Sequence, residues 1–579
     1  MAGYMFNLIY DISNVIAERY KISKEAISFD VPLDVEKGDI ATSIAFKLSK
    51  ELRKKPDEIA KDIENLIMTL SDKNGLGLKV KIINGYINIF IPDHMYFKDF
   101  KFDKTGKHYI VEGPSVNPNK PWHIGHLRNA LLCSSISNII EENGNEVIRL
   151  DYINDLGLQV AQSYWYYKKY GKKHNTGNFA LDIGLDYVQA AKIAEMEKKE
   201  IEEVMKNIES NKEIEFRKFI INVLKSQKET AYKYGIYHDF IVFESHVSSL
   251  FAQGIKMLSS LKEVEKPDQG EFKDCLVVNI DNANLKNPLK VLVRSNGIPT
   301  YFGKDVIFHL WKTGNICCIG FCENHEIQRE KSVFISCENG KNIFNVKDPV
   351  IINVIGHEQS LNQEVLKKTL IKLNALKEGQ FFHIGYGLVR KKDERFSGRK
   401  GTWIGFTADE LLEEGIKRIK EGDKDKIALA AIKFSMLKIS SKKELIFDWD
   451  KALSIQGDSG PYVLYSLVRA KNILKNSSSL EYQNLKLENK NLDLNKEEKM
   501  LMRLIWAYPF YVKKAFMSFE PNVICDYLLD LCQSFNTFYE KHRVIGSDKE
   551  EIRLNIIRHF VKTCEKALYL LGIQPVNYM

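Results

Sequence analysis

A chain of 579 residues, 44% hydrophobic and 28% charged, is too long for one core, so three or four domains are expected and long disorder is excluded. A formal charge of +8 and a pI near 8.7 admit a polyanionic partner, but the lysines are spread through every region and form no dense block. Asp11 interrupts the first apolar run and no stretch is apolar enough to span a bilayer, which excludes a signal peptide and a membrane helix, and nine scattered cysteines point to free thiols in a reducing, cytoplasmic compartment.

Residues 1–97 read as a small α+β domain. A helix from Met5 to Tyr20 is followed by Gly38-Asp39-Ile-Ala-Thr42, a helix through Leu52, and a third from Pro56 to Leu70 with Ile59, Ile63, Leu66 and Ile67 on one face. Leu78–Ile83 and Tyr86–Ile91 flank Asn84-Gly85, a strong hairpin signal. The lysines between 50 and 55 fit a solvated helix face better than a nucleic-acid contact. A polar stretch from 92 to 107 reads as a linker.

The next unit carries the chemistry. Tyr109–Val111 is a short buried strand, Gly113 to Pro121 a loop of turn formers, and Gly125 to Glu142 a helix that Asn143-Gly144 ends; Val147–Ile153 is a second strand. A nucleotide binds such a junction where the first strand stops and the helix begins. His123 and His126 straddle that helix start, with Lys120 three residues ahead, and Gly125 leaves room for a base or ribose. The set fits attack on a nucleotide α-phosphate, in which charge spreads over oxygens that cationic and hydrogen-bonding donors stabilise. An isolated His-x-x-His is more often structural, and zinc is a further alternative; the position at a strand–loop–helix junction favours phosphate.

Asn154, Asp155 and Gln159 follow the second strand at its C-terminal end, and residues 182–237 read as a charged, helical insertion. A second βα block is expected from Cys275–Ile280 and Val291–Arg294, leading to Thr300-Tyr301 and Asp305; Tyr301 and Asp305 share one helical face. Cys317, Cys318, Cys322, His325 and Cys337 lack paired zinc-knuckle spacing and read as ordinary thiols. Pro349–Ile355 is nearly continuous in apolar residues, as a central parallel strand should be, with Gly356-His357-Glu358-Gln359 at its tip. Phe382–Val389 leads into a basic loop, Arg390 to Gly401, that suits a mobile phosphate clamp; a charged surface turn is the plainer alternative. From about Phe447 onward only amphipathic helices remain, at 460–474, 496–518, 524–541 and 553–571, which makes a helical bundle. The chain is therefore multidomain: an α+β N-terminal domain (1–97), a doubly wound, Rossmann-type α/β domain with insertions (98–445) and an all-α C-terminal bundle (446–579).

His123-Ile-Gly-His126 resembles the first signature of class I aminoacyl-tRNA synthetases, and Arg395-Phe-Ser397-Gly-Arg399-Lys400-Gly401 resembles a degenerate form of their second, the KMSKS loop. The spacing of Glu112, Asn117, Lys120 and His123, the Thr300-Tyr301 and Asp305 set, and Gly356-x-x-Gln359 resemble arginyl-tRNA synthetases in particular. So do Gly38–Thr42 and Gly85–Asn88, in a domain that reads the tRNA elbow in that family. Phe447–Asp450, Gly457–Tyr462, Phe535–Val544 and Lys566–Tyr569 resemble its anticodon-binding domain. The resemblance is weakest over 180–270 and 312–345.

The resemblance implies activation of L-arginine with Mg-ATP to arginyl-adenylate and transfer to tRNA(Arg), by a cytoplasmic monomer that binds no metal of its own and usually needs tRNA for the first step. It implies that His123, His126 and Lys120 are catalytic, and that Gly125, Gly356, His357, Arg395, Ser397, Arg399 and Lys400 bind ATP. Glu112, Asn117, Tyr301, Asp305 and Gln359 would bind arginine, whose planar, permanently charged guanidinium requires a carboxylate and further acceptors. Taken alone, Glu112 could equally be a strand-end carboxylate paired with a nearby lysine. Gly398 stands where other class I enzymes have the loop's second lysine, so Lys120 is the expected substitute for that charge. A class I enzyme for another amino acid and a silent tRNA-binding paralogue are the alternatives; a neutral amino acid would leave Asp305 unpaired.

Overall fold

The computed structural model describes residues 4–97, 102–210, 212–280, 288–317, 319–392, 403–477 and 493–579. At the N-terminus, helices Tyr4–Tyr20, Ile44–Leu52 and Pro56–Asn74 accompany a three-stranded antiparallel sheet ordered Ile40–Thr42, Tyr86–Phe90, Lys79–Ile83. Asn84 and Gly85 both take positive φ, 49° and 79°, as a two-residue hairpin turn of this hand requires.

The central sheet has seven strands, ordered Phe321–Asn324, Val333–Ser336, Phe240–Phe243, Glu146–Ile153, His108–Glu112, Val350–Gly356, Phe381–Tyr386. All neighbours are parallel except the edge strand Phe321–Asn324. Winding reverses between His108–Glu112 and Val350–Gly356, where Asn353 is opposite Glu112. Ligands of open parallel sheets bind outside the strand ends at such a reversal.

Several expectations change here. Phe240–Phe243, just beyond the expected insertion and not expected as a strand, belongs to this sheet, and helix Phe216–Lys233 ahead of it packs under the site instead of standing apart as an insertion. Leu276–Asn279 and Leu289–Val293 do not join the parallel sheet; with Val264–Glu265 they form a separate antiparallel one. Cys322 and Cys337 form a disulfide that ties the edge hairpin, so the expectation of free thiols fails for this pair. The 92–107 segment is more than a linker, because Asp93–Phe97 forms a 3-10 turn that buries Met95 and Tyr96.

The C-terminal bundle is built from helices Gly460–Asn476, Lys496–Trp506, Tyr508–Ser518, Asn522–Lys541 and Glu550–Leu570. The expected helix over 496–518 is broken at Ala507, ahead of Pro509, which lacks the N–H a continuous helix would need. Buried residues of the N-terminal domain, the helix Ile124–Glu142 and the bundle belong to one contiguous apolar core. Asp39 and Arg503, both fully buried, pair across the boundary at 2.8 Å. No helix among the described residues is long and apolar enough to cross a membrane.

Candidate active site

His123 is the N-cap of helix Ile124–Glu142, and its Nδ1 accepts from Gly125 N (3.1 Å) and His126 N (3.3 Å). His126 Nδ1 in turn accepts from His123 N at 3.4 Å, so two histidines form a reciprocal capping box, with rings stacked 3.5 Å apart. An imidazole whose Nδ1 accepts carries its proton on Nε2. Burial and the Lys120 ammonium lower His123 to about 3; burial, His123 and Lys120 hold His126 well below its ordinary value. Both rings are therefore neutral Nε2–H donors at a helix N-terminus, where the backbone dipole already favours an anion.

The loop ahead of the helix is fixed from below. Gln227 Nε2 donates to Lys120 O (2.8 Å) and Asn117 O (3.2 Å). Buried Lys228 bridges Asp151 Oδ2 (2.5 Å) and His238 Nδ1 (3.0 Å), while Ser115 N donates to Asp151 Oδ1 and His238 Nε2 lies 3.0 Å from Gly113 O. A Cβ at Gly113 would stand 2.5 Å from Cys133 Sγ, so only glycine lets strand and helix approach this closely. Arg128 donates to the carbonyls of Gly387, Ile439, Ser440 and Lys443, and Glu520 of the bundle accepts from Ser440 and Ser441. The signature helix, this turn and the bundle are thereby locked together.

Arg395, Ser397, Arg399 and Lys400 lie outside the described residues. Both flanks of their loop are described. Val389–Lys391 pairs with Leu445–Phe447, and on the far side Ile124 N donates to Phe406 O and Ala408 N to Trp122 O. Thr407 bridges His123 itself, so the described chain after the loop runs beside the histidine pair.

A second group of titratable side chains in this domain is acidic. Glu112 ends its strand, and Asp305 lies on helix Tyr301–Lys312, solvent-accessible yet ringed by protein. Loss of solvation, then the like charges of Glu112 and Glu244, push the Asp305 carboxyl up to about 7. Glu244 follows strand Phe240–Phe243 and is likewise raised to about 7, first by burial and then by Asp155 and Glu209, with Lys304 opposing. Burial, then the carboxylates of Glu244, Asp305, Glu112 and Asp155, raise the Tyr152 hydroxyl well above its ordinary value. Asp155 itself is held by Ser245 and Arg217 and orients the turn that carries Glu244.

Asn117 and Gln159 meet at 3.4 Å on the loop side. Glu112 has the lysine partner that its plainer reading required: Lys312, fully buried, forms an ion pair with it. Tyr301 is 80% exposed, with Lys304 Nζ 5.5 Å over its ring. His357 and Gln359 are exposed at the tip of Val350–Gly356, where Gln359 Oε1 accepts from Asn362. Glu244, Tyr152, Gln227 and Lys312 were not singled out from the sequence.

Gly303 sets the position of the pocket's helix: an added Cβ would lie 1.9 Å from Leu292 O. Gly303→Ala is expected to push Asp305 outward and destabilise the fold by about 1–3 kcal/mol. Denaturant unfolding checks this; an unchanged stability would mean that the helix accommodates the added methyl.

Three family models match the chain: an arginyl-tRNA synthetase N-terminal domain over residues 7–91, a class I (R) tRNA synthetase catalytic domain over 93–313, and a DALR anticodon-binding domain over 463–579. The chain is 34% identical to an arginine–tRNA ligase of Pyrococcus abyssi, with 96% of each chain covered, and 33% identical to that of Pyrococcus furiosus, with 98% of each covered. The solved arginyl-tRNA synthetase of Thermus thermophilus superposes with a TM-score of 0.88 at 27% identity, over 99% of each chain.

Proposed function

The chain belongs to the arginyl-tRNA synthetase family, and from that premise we propose that it joins L-arginine to tRNA(Arg) through an arginyl-adenylate, using the residues of the site above. The observation that carries the reading is the acidic group of Glu112, Asp305 and Glu244, in which the other two carboxylates raise Asp305, together with the neutral histidine pair that caps the helix following the strand of Glu112. Three carboxylates at one strand-end crevice are costly unless a cation arrives to balance them. Arginine brings two positive groups. Asp305 and Glu244 take the guanidinium, with Tyr301 covering it from the open side, and Glu112, Asn117 and Gln359 take the α-amino and carboxylate groups.

In the first step a carboxylate oxygen of arginine attacks the α-phosphorus of Mg-ATP, the bond to the bridging oxygen breaks, and pyrophosphate leaves with the electron pair. Charge gathers on the phosphoryl oxygens. The Nε2–H groups of His123 and His126 and the Lys120 ammonium meet that charge without reorganising, while Gly125, Gly356 and His357 border the nucleotide and Arg395, Ser397, Arg399 and Lys400 bind its phosphates. Magnesium enters with ATP, and no protein-held metal is part of the proposal. In the second step a hydroxyl of the terminal ribose attacks the acyl carbon and AMP departs. Residues 1–97 serve the tRNA elbow, 98–445 the chemistry and 446–579 the anticodon, in a cytoplasmic monomer. Pyrophosphate exchange with arginine, run with and without tRNA, tests the first step: exchange dependent on tRNA is expected, and its absence under both conditions would overturn the reading.

The raised carboxyls give a pH dependence. Asp305 and Glu244, both near 7 in the empty pocket, are protonated below that value and cannot pair with the guanidinium. Arginine binding below pH 7 therefore requires proton release, and affinity falls as pH falls. The thermal shift produced by arginine should be larger at about pH 8 than at about pH 6; equal shifts would remove these two groups from the pocket.

A further inference from the structure

Lys312 has no task in the chemistry described so far, yet it is fully buried at the floor of the arginine pocket. It ends helix Tyr301–Lys312, and its Nζ faces the Glu112 carboxylate, His309 Nε2 at 3.0 Å, Asn353 Oδ1 at 3.5 Å and the Phe308 ring at 4.7 Å. His309 Nδ1 lies 2.7 Å from Asp305 O, a carbonyl that can only accept, so the proton is on Nδ1 and Nε2 accepts. That single lone pair faces two donors, Lys312 Nζ and, at 3.1 Å, Asn353 Nδ2. Gln363 Oε1 accepts from Asn353 at 3.0 Å. Burial keeps His309 neutral, so the ammonium is the one cation of this cluster.

Withdrawing both members of an ion pair from water costs several kcal/mol, and a well-packed apolar pair is commonly as stable. Stability alone therefore does not account for five polar side chains in one buried network at the tip of two adjacent strands. Glu112, at the end of its strand, keeps 9% side-chain exposure. Lys312 also offsets the Glu112 carboxylate and opposes the rise of Asp305.

We propose that Lys312 is a positioning residue, which holds Glu112 in the orientation that receives the α-ammonium of arginine. The proposal rests on the reading of Glu112 as an arginine ligand. Its assay separates the two ideas. Calorimetry on the full chain gives the Kd of L-arginine and of des-amino arginine, which lacks only the α-amino group; the ratio reads the contact with that group.

In the parent protein the ratio should be roughly tenfold to a hundredfold, the range for a charge-assisted hydrogen bond. Glu112→Gln should bring it close to one, Lys312→Met should do the same, and the double variant should fall no further, because one residue acts through the other. The double variant also removes both buried charges together, so it remains informative should Lys312→Met alone fail to fold. A parent-like ratio in Lys312→Met beside a collapsed one in Glu112→Gln would overturn the proposal and leave the Glu112 reading standing. So would a double variant weaker toward des-amino arginine than Glu112→Gln, since Lys312 would then act independently. A parent-like ratio in Glu112→Gln would overturn the reading of Glu112 and the proposal with it.

Discussion

Lys120→Ala should lower the rate of arginyl-adenylate formation by roughly a hundredfold to a thousandfold, the loss typical of removing one preorganised group from a developing oxyanion. The ammonium is placed for this role. It is close enough to lower both signature histidines, its backbone is held by Gln227, and burial lowers its own pKa. The histidines cannot supply its charge, because burial keeps them neutral and their Nδ1 atoms are committed to the helix cap. The side chain is only half-buried, so stability should change by about 0.5 kcal/mol or less. Single-turnover exchange at saturating arginine and ATP, alongside a thermal melt, checks both parts. Near-normal turnover would assign the phosphate charge to another group.

Arg503→Met should destabilise the joint between the N-terminal domain and the bundle by about 3–5 kcal/mol. Arg503 Nε donates to Asp39 Oδ1, and its other nitrogens donate to the carbonyls of Pro32, Asp34 and Val35 at 3.1–3.3 Å. Asp39 accepts from Ile91 N (2.7 Å) and Tyr96 Oη (2.5 Å) as well. Removing the guanidinium strands a fully buried carboxylate and three carbonyls, and the apolar replacement satisfies none of them. Denaturant unfolding should show an earlier first transition, and limited proteolysis should release the N-terminal domain. A loss below about 1 kcal/mol would mean that the shared apolar core, and not this ion pair, holds the joint.

What the sequence disclosed follows how local each signal is. The histidine pair was legible because strand, loop, cap and helix fall within one short stretch, and Asn84-Gly85 because a two-residue turn has its own residue preferences. Phe240–Phe243 was not, since four apolar residues after a charged helix carry too short a period to read. The strands Leu276–Asn279 and Leu289–Val293 were recognisable as strands, but periodicity says nothing about which sheet a strand joins. Glu244 follows the unread strand, so it was lost with it. Lys312 ends the helix that displays Asp305, yet its burial depends on Glu112, 200 positions earlier in the chain, and no local pattern encodes that encounter. The Cys322–Cys337 bond was missed for a similar reason, because the hairpin that brings the two together was itself unread.

The two ends of the site thus rest on different physics. In the proposed function, neutral donors on a helix N-terminus and one lysine receive the phosphate, while an excess of carboxylate selects the amino acid. The second statement is the central one, because the phosphate end would serve any class I enzyme and the carboxylates of Glu112, Asp305 and Glu244 would not. The most direct test is charging of pooled tRNA with each of the twenty amino acids in turn. The account predicts acylation with arginine alone; acylation with a neutral amino acid, or with none, would contradict it.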